Sequence, residues 1–594
     1  MENGKIAGGL MVDLQLPEAL RQKSVGGEIN DSEFRWEIIV KYSGDLEQYH
    51  EQIPFEVEYI NENVAIVFLN PTDILEFARL PEVEYIEAPR RLWFQLEESR
   101  REICLTPLQV QENNRNDNLF GEGVIVAVID SGIDYAHPDF RKEDGTTRII
   151  GLWDQTLDPL DIQTTEEETG TIYSPPEGYL LGVFFSEEQI NEALRQNTRS
   201  EQQRLLPSVD YSGHGTHVTG IACGNGQVSN GVYRGVATKA DILVVKIGDA
   251  EGITFPRTTR LLEAINFVID FARQRNQPVA INLSFGNNAG PHTGEGIISE
   301  YLNREALKWK NCICVGTGNE GTTGRHKEGL LSSNQTEEFS CVFGPEQGSL
   351  YMELWKSYED NFQIELVSPS REIVTIEKND EGKIRKYDFS DCTLVVNYGE
   401  PTPFEILQEI YLEWIPKGES LKEGVWTFRF LAEKVVDGRY DLWLPTGANI
   451  QLQTRFLNPD VSTTLTTPSS TNRLISVGAF DGNTGEIAAF SGRGYTRNGL
   501  QKPDLVAPGV DILSTAPNNS YTVRSGTSMA VPFVTGACAL LMEWGIVRGN
   551  DGYLYGERMK AFLRAGAVPV EREPVPNPVE GYGSLCIKQS LPES

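Results

Sequence analysis

The sequence predicts an α/β protein whose main domain is an open, mostly parallel sheet, with a small α/β unit before it and a β-sandwich inserted into it. Three observations predict this fold. Unbroken apolar runs such as residues 124–129 alternate with helical stretches such as residues 258–275, which is typical of parallel strands buried on both faces. Residues 34–95 form a separate short series of strand-like runs. Between residues 323 and 460 a two-residue periodicity replaces the alternation.

The first element is the N-terminal unit, which we assign to residues 1–95. Apolar and β-branched runs bounded by turn residues predict four strands and one helix. The strands are predicted at 34–41, 55–60, 64–69 and 82–87, and the helix at 71–79. These elements suffice for a compact α/β sandwich with its own core.

The main domain follows in two parts, which we place at residues 96–322 and 461–594. Further buried strands are predicted at 242–247, 279–283, 312–316 and 474–477, and a second helix at 297–310. An acidic stretch, residues 154–201, interrupts this sheet, and we interpret it as a surface excursion. The inserted β-sandwich takes residues 323–460, with predicted strands at 350–355, 363–367, 425–430 and 440–444. Four of the nine tryptophans lie in this insert and predict a core of its own: Trp355, Trp414, Trp426 and Trp443.

Charge and composition narrow the function classes. The chain has 52 Lys and Arg residues against 85 Asp and Glu residues, a formal net charge of −33. This charge opposes binding to nucleic-acid phosphates or anionic lipid headgroups. The N-terminus lacks the pattern of a secretory signal, and we expect no segment to span a membrane. Eight cysteines are spread without paired spacing, so we expect them to be reduced and the protein to be cytoplasmic.

Asp130 is the first candidate functional residue. It lies in the segment VIDSGID, residues 128–134, directly after an apolar strand. Open α/β sheets place functional groups at the carboxyl ends of their strands, so Asp130 is well placed for a site. Asp-Ser-Gly is also ordinary turn chemistry, and that interpretation stays open at this point.

His214 is the second candidate, in the segment GHGTHVTG, residues 213–220. The flanking glycines allow another part of the chain to approach closely, and the residues that follow predict the start of a buried helix. His217, three residues later, raises the alternative of a metal pair. A metal site would need a third ligand, and none of suitable spacing lies nearby in the sequence.

Ser528 is the third candidate, at the start of the apolar helix predicted from the segment SGTSMAVPFVTG, residues 525–536. The alternative is a simple helix cap. A serine hydroxyl is a weak nucleophile that needs a base and a group to orient the base, and His214 and Asp130 are of those types. Asn319, in the segment VGTGNEG after another buried strand, offers an oxyanion donor, although Asn-Glu-Gly is also compatible with a plain turn.

Together the three motifs resemble those of the subtilisin-like serine proteases, in which the triad has the same order of Asp, His and Ser along the chain. The resemblance covers residues 121–323 and 463–545. The segment NLSFG, residues 282–286, is similar to the family's substrate-binding strand, which implies binding of a protein or peptide substrate by strand addition. The cleft residues implied by the resemblance are Ser284, Phe285, Gly286, Gly316, Thr317 and Gly318.

The sequence resembles one subgroup in particular, the Csp germination proteases of spore-forming bacteria. Those proteins lack a secretion signal, carry a propeptide and insert a β-sandwich between the oxyanion asparagine and the serine. The resemblance implies self-cleavage between Gln95 and Leu96, with Leu92 in the fourth subsite and the propeptide remaining bound in the cleft. It also implies a spore-associated location and, as substrate, the zymogen of a spore-cortex hydrolase.

A second function class remains open from the sequence. Some members of that subgroup have lost triad residues and act as regulators, so a non-catalytic binding protein with its cleft blocked by the propeptide is the alternative. Retention of Asp130, His214 and Ser528 favours the enzyme. We expect no cofactor and no metal site. Calcium is common in the family, but the acidic segment at residues 157–161 has the pattern of a solvated loop.

Overall fold

The computed structural model describes residues 5, 14, 36–59, 64–87, 100, 102–109, 118–162, 173–248, 258–400, 406–447, 450–571 and 573–592. The chain divides into two compact units, Met1–Trp93 and Phe94–Ser594. The larger unit contains both the parallel sheet and the insert.

The smaller unit is built on a four-stranded antiparallel sheet with the order β2-β3-β1-β4. Its buried face forms because apolar residues alternate along β1, where Trp36, Ile38 and Val40 all point into the core. Ile74 and Phe77 of the helix α1 cover that face. The elements are β1 (Trp36–Tyr42), β2 (Phe55–Tyr59), β3 (Val64–Leu69), α1 (Ile74–Phe77) and β4 (Val83–Glu87).

The main sheet of the larger unit has nine strands, in the order β23-β22-β10-β9-β5-β8-β6-β7, with β24 pairing beside β22. All pairs from β22 to β6 are parallel, so the carboxyl ends of β5, β9 and β10 meet at one edge. The strands are β5 (Ile125–Asp130), β6 (Ile149–Asp154), β7 (Val183–Ser186), β8 (Asp241–Lys246), β9 (Val279–Leu283), β10 (Asn311–Gly316), β22 (Ile475–Asp481), β23 (Glu486–Ile487) and β24 (Leu505–Pro508).

Helices cover both faces of this sheet, which explains why its central strands are buried at almost every position and mostly apolar. The helices α5 and α8 pack on one face and α6 on the other. A separate hairpin pairs β25 (Ile512–Ala516) with β26 (Ser520–Arg524). The helices are α2 (Thr106–Gln109), α3 (Glu187–Leu194), α4 (Arg199–Leu205), α5 (His214–Cys223), α6 (Thr258–Gln274), α7 (Ile297–Glu305), α8 (Thr527–Met542), α9 (Gly556–Ala565) and α10 (Ile587–Ser590).

The acidic stretch at residues 154–201 is more than the surface excursion that the sequence predicted. Its second half forms β7, which pairs antiparallel with β6 at the edge of the sheet, and the helix α3. Phe185 and Ile190 are buried in the main core. The surrounding acidic residues concealed this short apolar pattern, so the prediction was wrong for this half.

The insert is a sandwich of two antiparallel sheets. One has the order β11-β20-β13-β18-β17-β16 and the other β15-β14-β19-β12-β21, and their inner faces share one core. The strands are β11 (His326–Leu330), β12 (Thr336–Phe343), β13 (Leu350–Ser357), β14 (Asn361–Val367), β15 (Ile373–Ile376), β16 (Lys383–Asp388), β17 (Cys392–Tyr398), β18 (Leu407–Pro416), β19 (Gly424–Lys434), β20 (Arg439–Trp443) and β21 (Arg455–Phe456).

Only two of the four tryptophans predicted for the sandwich core lie in it. Trp414 and Trp426 contact each other there, with ring centroids 5.6 Å apart. Trp355 and Trp443 belong to the opposite face of the six-stranded sheet, because side chains alternate along a strand and Leu354 and Leu442 already face the core.

The expectation of eight reduced cysteines is wrong for two of them. Cys104 and Cys586 form a disulfide that joins positions 482 residues apart, with their Cα atoms 4.9 Å from each other. No spacing rule signals a pair this distant in sequence. The other six cysteines are free and buried: Cys223, Cys312, Cys314, Cys341, Cys392 and Cys538.

One helix in the described ranges meets the length and hydropathy expected of a membrane span, contrary to the prediction that no segment would. It comprises Thr527–Val547, that is α8 and the π-helical turn after it. Most of it is buried inside the protein, 83% of the apolar window. A helix enclosed on all sides by a core is apolar all round, which accounts for its composition.

Candidate active site

Asp130 and His214 are in direct contact at the carboxyl edge of the sheet. Asp130 is the last residue of β5 and His214 is the first residue of α5, and Nδ1 of the imidazole lies 2.7 Å from Oδ1 of the carboxylate. Gly215 makes this approach feasible, because a Cβ atom there would lie 2.1 Å from the carbonyl oxygen of Gly132. The glycine that the sequence analysis noted therefore has a steric reason.

The environment of His214 makes it a stronger base than a free imidazole. Its side chain is 24% exposed. Burial by itself lowers the pKa of His214, but the charge of Asp130 and the hydrogen bond to it act in the opposite direction, and the net pKa is raised. The carboxylate thus both orients the ring and stabilises its protonated form.

Asp210 holds the loop that carries His214, a role that the sequence analysis missed. One oxygen, Oδ1, accepts hydrogen bonds from Ser131 Oγ at 2.8 Å and from the Gly213 N–H at 2.9 Å. The other, Oδ2, accepts from the backbone N–H and the hydroxyl of Thr216 at 2.8 and 2.7 Å. Its position four residues before His214, among small polar residues, was the available signal.

Ser528 is the second residue of α8 and lies beside the residue that follows β9. Its Oγ donates a hydrogen bond to the Ser284 carbonyl at 3.0 Å, and Ser284 Oγ in turn donates to the Ser528 carbonyl at 3.2 Å. The hydroxyl is therefore directed at the predicted substrate strand. For His214 to act as its base, the hydroxyl has to exchange this hydrogen bond for one to Nε2.

Asn319 lies at the start of α8, next to Ser528. Its Oδ1 accepts a hydrogen bond from the Thr527 N–H at 3.0 Å. With the oxygen engaged in this way, Nδ2 is the donor end of the carboxamide, and the side chain is exposed. A plain turn residue would need no such contact with a helix 208 residues later, so the arrangement favours an oxyanion donor.

The predicted substrate-binding residues follow two neighbouring strands. Ser284, Phe285 and Gly286 come directly after β9, while Gly316 ends β10 and is followed by Thr317 and Gly318. Thr466, which the sequence analysis missed, lies between the two segments. A Cβ atom on Gly286 or on Gly318 would lie 2.4 Å from the Thr466 side chain, so both glycines are needed for this close packing.

An apolar pocket of about 150 Å³ opens beside the predicted substrate strand. Phe285 and Gly286 form one side of it, and the remaining lining is mainly apolar. The other lining residues are Ile247, Thr258, Leu261, Asn287, Ile298, Thr467 and Pro468. A pocket of this size and composition suits an aliphatic side chain.

Two further candidates fall outside the site. His217 is buried, and its Nε2 lies 3.0 Å from the carbonyl oxygens of Ile512 and Thr522, so it is a structural histidine. Burial lowers the pKa of His217 to about 3. Gln95 and Leu96, the predicted self-cleavage site, lie outside the described residues, as does Leu92.

One group of three side chains in the described part of the chain could reach a single cation, namely His326, Glu328 and Asp441. Guanidinium groups already compensate its carboxylates. Arg497 Nε donates to Asp441 Oδ2 at 2.6 Å, and Arg439 Nη2 donates to Glu328 Oε2 at 3.3 Å. Because these cations neutralise the acidic groups, the cluster is better described as a buried ion-pair network than as a metal site.

The chain is similar to known proteins over most of its length. The sequence model of the Subtilase family matches residues 121–342 and 449–583, and that of the Csp protease B prodomain matches residues 4–90. The solved structure of the CspB protease of Clostridium perfringens is similar to this chain, with 34% identity and a TM-score of 0.74. That alignment covers 83% of this chain and 96% of the other.

More distant relatives are longer than this chain. The minor extracellular protease Vpr of Bacillus subtilis (strain 168) is 24% identical over 79% of this chain and 52% of its own length. The PIII-type proteinase of Lactococcus lactis subsp. cremoris (strain SK11) is 25% identical over 74% of this chain and 23% of its own length. The chain therefore spans about half of the first relative and about a quarter of the second.

Proposed function

The chain belongs to the subtilase family of serine proteases, in its Csp-type branch with a CspB prodomain, and from this premise we propose that it is a self-processing endopeptidase that activates another protein by limited proteolysis. The observation that carries the proposal is the convergence of Asp130, His214 and Ser528 on one edge of the sheet, beside Asn319 and the substrate strand. Each of these residues has a role in the reaction.

In the proposed reaction Ser528 Oγ attacks the carbonyl carbon of the scissile peptide bond. His214 Nε2 accepts the hydroxyl proton and then donates it to the leaving amine, so the C–N bond breaks and an acyl-enzyme remains. Water then attacks the acyl carbon and gives a proton to His214, the bond to Ser528 Oγ breaks as His214 returns the proton to that oxygen, and the new carboxyl group is released. Asn319 Nδ2 and the Ser528 N–H stabilise the oxyanion in both steps.

The substrate in this proposal adds as a strand along Ser284–Gly286. Main-chain hydrogen bonds in this mode give affinity for an extended peptide of almost any sequence, while side-chain pockets select among peptides. The apolar pocket beside Phe285 supplies the selection, for an aliphatic residue N-terminal to the scissile bond. This is the role that the sequence assigned to Leu92.

The N-terminal unit is the propeptide in this proposal, with self-cleavage between Gln95 and Leu96 and the product remaining in the cleft. The match of residues 4–90 to the Csp protease B prodomain supports a propeptide. Intramolecular cleavage gains from proximity, so a terminal glutamine need not define the preference for other substrates. The physiological substrate that we propose is the zymogen of a spore-cortex hydrolase, cleaved in the spore during germination.

The variant Ser528→Ala tests the proposal. It should leave the chain intact from its first residue and unable to cleave any peptide, whereas the wild-type chain should yield a new N-terminus at Leu96. N-terminal sequencing and intact-mass spectrometry measure this difference. Undiminished processing in the variant would refute the assignment of the nucleophile.

Labelling with a fluorophosphonate distinguishes an enzyme from a non-catalytic binding protein on the same scaffold. The reagent phosphonylates a serine only where a base activates its hydroxyl. Once the cleaved propeptide has been displaced from the cleft, we expect the wild-type chain to be labelled at Ser528 and the Ser528→Ala variant to remain unlabelled. A wild-type chain that neither processes itself nor becomes labelled would favour the regulatory alternative.

A further inference from the structure

Part of the outer face of the insert's six-stranded sheet, on β13 and β20, is buried, although its residues do not belong to the sandwich core. Glu353 on β13 and Trp443 on β20 are cross-strand partners on this face, and they are only 7% and 1% exposed. A sandwich that folded by itself would present this face to water. The face must therefore be covered by another part of the chain.

The segment that covers it is the loop that continues from the predicted substrate strand. We name residues 287–296 the cleft loop. The Gly290 N–H donates a hydrogen bond to Glu353 Oε2 at 2.8 Å, and Asn288 Nδ2 donates to the Leu444 carbonyl at 3.1 Å. The ring of His292 stacks on Trp443, with centroids 4.1 Å apart and planes 9° apart. Three successive contacts thus join the cleft loop to the insert.

The composition of the cleft loop explains why it needs outside support. Gly290, Gly294 and Gly296 all adopt positive φ, at 95°, 75° and 92°. Glycine has the greatest backbone freedom, so a loop rich in it loses the most entropy when it becomes ordered. When the loop is already held in place, this entropy is not lost on substrate binding.

The cleft loop also forms part of the substrate-binding surface. It lines a second pocket of about 240 Å³, which adjoins the apolar pocket through shared residues. The shared residues are Thr258, Asn287, Ile298 and Thr467. Since Asn287 comes directly after Gly286, a substrate that runs along the strand reaches this second pocket only beyond the first.

We propose that the insert acts as the support of the substrate cleft, with Glu353 as a positioning residue that fixes the cleft loop through the Gly290 N–H. Its carboxylate is itself held by Trp355, whose Nε1 donates to Glu353 Oε2 at 3.1 Å. The inference rests on the proposed substrate-binding role of Ser284–Gly286. The insert would thus contribute to the recognition of substrate residues several positions N-terminal to the scissile bond. It would not contribute to the chemical step.

The test compares Glu353→Ala with Glu353→Gln in the self-processed protein, after the cleaved propeptide has been displaced from the cleft. Two peptides with the same scissile bond are used, a hexapeptide that reaches the pockets and a dipeptide that does not. Glu353→Ala should raise KM for the hexapeptide about tenfold through loss of one charge-assisted hydrogen bond, with kcat nearly unchanged. Glu353→Gln retains an acceptor oxygen and should restore KM, and neither variant should affect the dipeptide or fluorophosphonate labelling of Ser528.

Glu409→Ala is the matched control, because Glu409 lies on the adjacent strand β18, opposite Trp355, and among the described residues its carboxylate makes no hydrogen bond to the cleft loop. It should leave both KM values unchanged. A wild-type KM in Glu353→Ala would overturn the inference, as would equal losses on both peptides with a lowered Tm, which would indicate a merely structural role. Should Glu353→Ala fail to fold, Asn288→Ala removes a neighbouring contact from the loop side and should raise the same KM.

Hydrogen exchange separates this inference from the proposed function. Glu353→Ala should accelerate amide exchange in residues 284–296 without changing exchange in the core of the main sheet, and Glu353→Gln should not. Unchanged exchange in the alanine variant would refute the positioning role whatever the kinetics. If wild-type enzyme shows equal KM for hexapeptide and dipeptide, the proposed role of the substrate strand fails, while the exchange result still decides whether the insert holds the loop.

Discussion

The two sides of the candidate cleft are stabilised in different ways. On the base side, formed by Asp130, Asp210 and His214, the supporting carboxylate is four residues from the histidine and accepts five hydrogen bonds from nearby groups. On the strand side, residues 284–296, the supporting carboxylate is Glu353, more than fifty residues along the chain and in another sheet. In our proposal the loop that carries the base is held by a neighbouring residue, whereas the loop that continues the substrate strand is held by a distant insert.

Because the two sides are supported differently, substitutions in them should change different kinetic parameters. On the base side, His214 acts on the reacting atoms while Asp130 and Asp210 hold it in place, so loss of these groups should reduce turnover at unchanged KM. Groups on the strand side contact only the substrate chain, so their loss should raise KM. The substitutions described next test this division between effects on kcat and effects on KM.

The largest effect is expected from Asp130→Asn. The amide is nearly isosteric but cannot stabilise the imidazolium and favours the wrong tautomer of His214, so kcat should fall about 10⁴-fold with little change in KM. Steady-state kinetics on the hexapeptide measure both. Asp139→Asn is the matched control, because Asp139 is buried and contacts Tyr521 rather than His214, and it should retain kcat. A rise in KM without a fall in kcat for Asp130→Asn would contradict the assignment of the base side to the chemical step.

Asn319→Ala should come next. Removal of one oxyanion donor should lower kcat about 10²–10³-fold, the range found for such a donor in a subtilisin. KM should stay constant, since the donor acts on charge that develops only in the transition state. Asn319 follows β10 and is not part of the base-side motif. The Tm of the variant checks whether the substitution also destabilises the fold. An unchanged kcat would indicate that Asn319 is a turn residue and not an oxyanion donor.

Phe285→Ala tests the strand side at its pocket. Removing the ring enlarges the apolar pocket, and KM should rise about tenfold for a peptide with leucine at the fourth position, at similar kcat. A peptide with alanine at that position is the control and should respond little. Equal responses of the two peptides would show that this pocket does not receive the fourth residue.

The smallest effect is a shift of the pH profile. His214 must be neutral to accept a proton, so kcat/KM should be lost as the pH falls through the pKa of His214, which Asp130 holds above its usual value of 6.5. The nearby charge of Arg524 acts to lower this pKa. Arg524→Gln should therefore move the acidic limb to higher pH, and Arg524→Lys should leave it in place. A shift to lower pH would contradict the electrostatic assignment.

The sequence was most informative where a function depends on neighbouring residues. Apolar strands followed by Asp130 or by Asn319 predicted the sheet edge, and the fold class is confirmed by the match to the subtilase family and to the CspB structure. Asp210 was missed although a signal was present, because an acidic residue before a histidine motif has many ordinary explanations.

Long-range contacts escaped prediction for a physical reason. The alternation along β13 and β20 shows that Glu353 and Trp443 lie on one face, but it cannot say what covers that face. The answer depends on how two domains pack, and the covering loop precedes the insert in sequence. The same holds for Cys104 and Cys586, whose spacing carries no information about their contact.

The disulfide has a practical consequence for any study of a protease that can cut itself. Cys104 and Cys586 enclose almost the whole larger unit, so a single internal nick between them would leave both fragments covalently joined. Such a nicked molecule would migrate as one band on a denaturing gel until a reducing agent breaks the disulfide. Loss of residues 1–95 would be visible with or without reduction, because that segment lies outside the covalent ring.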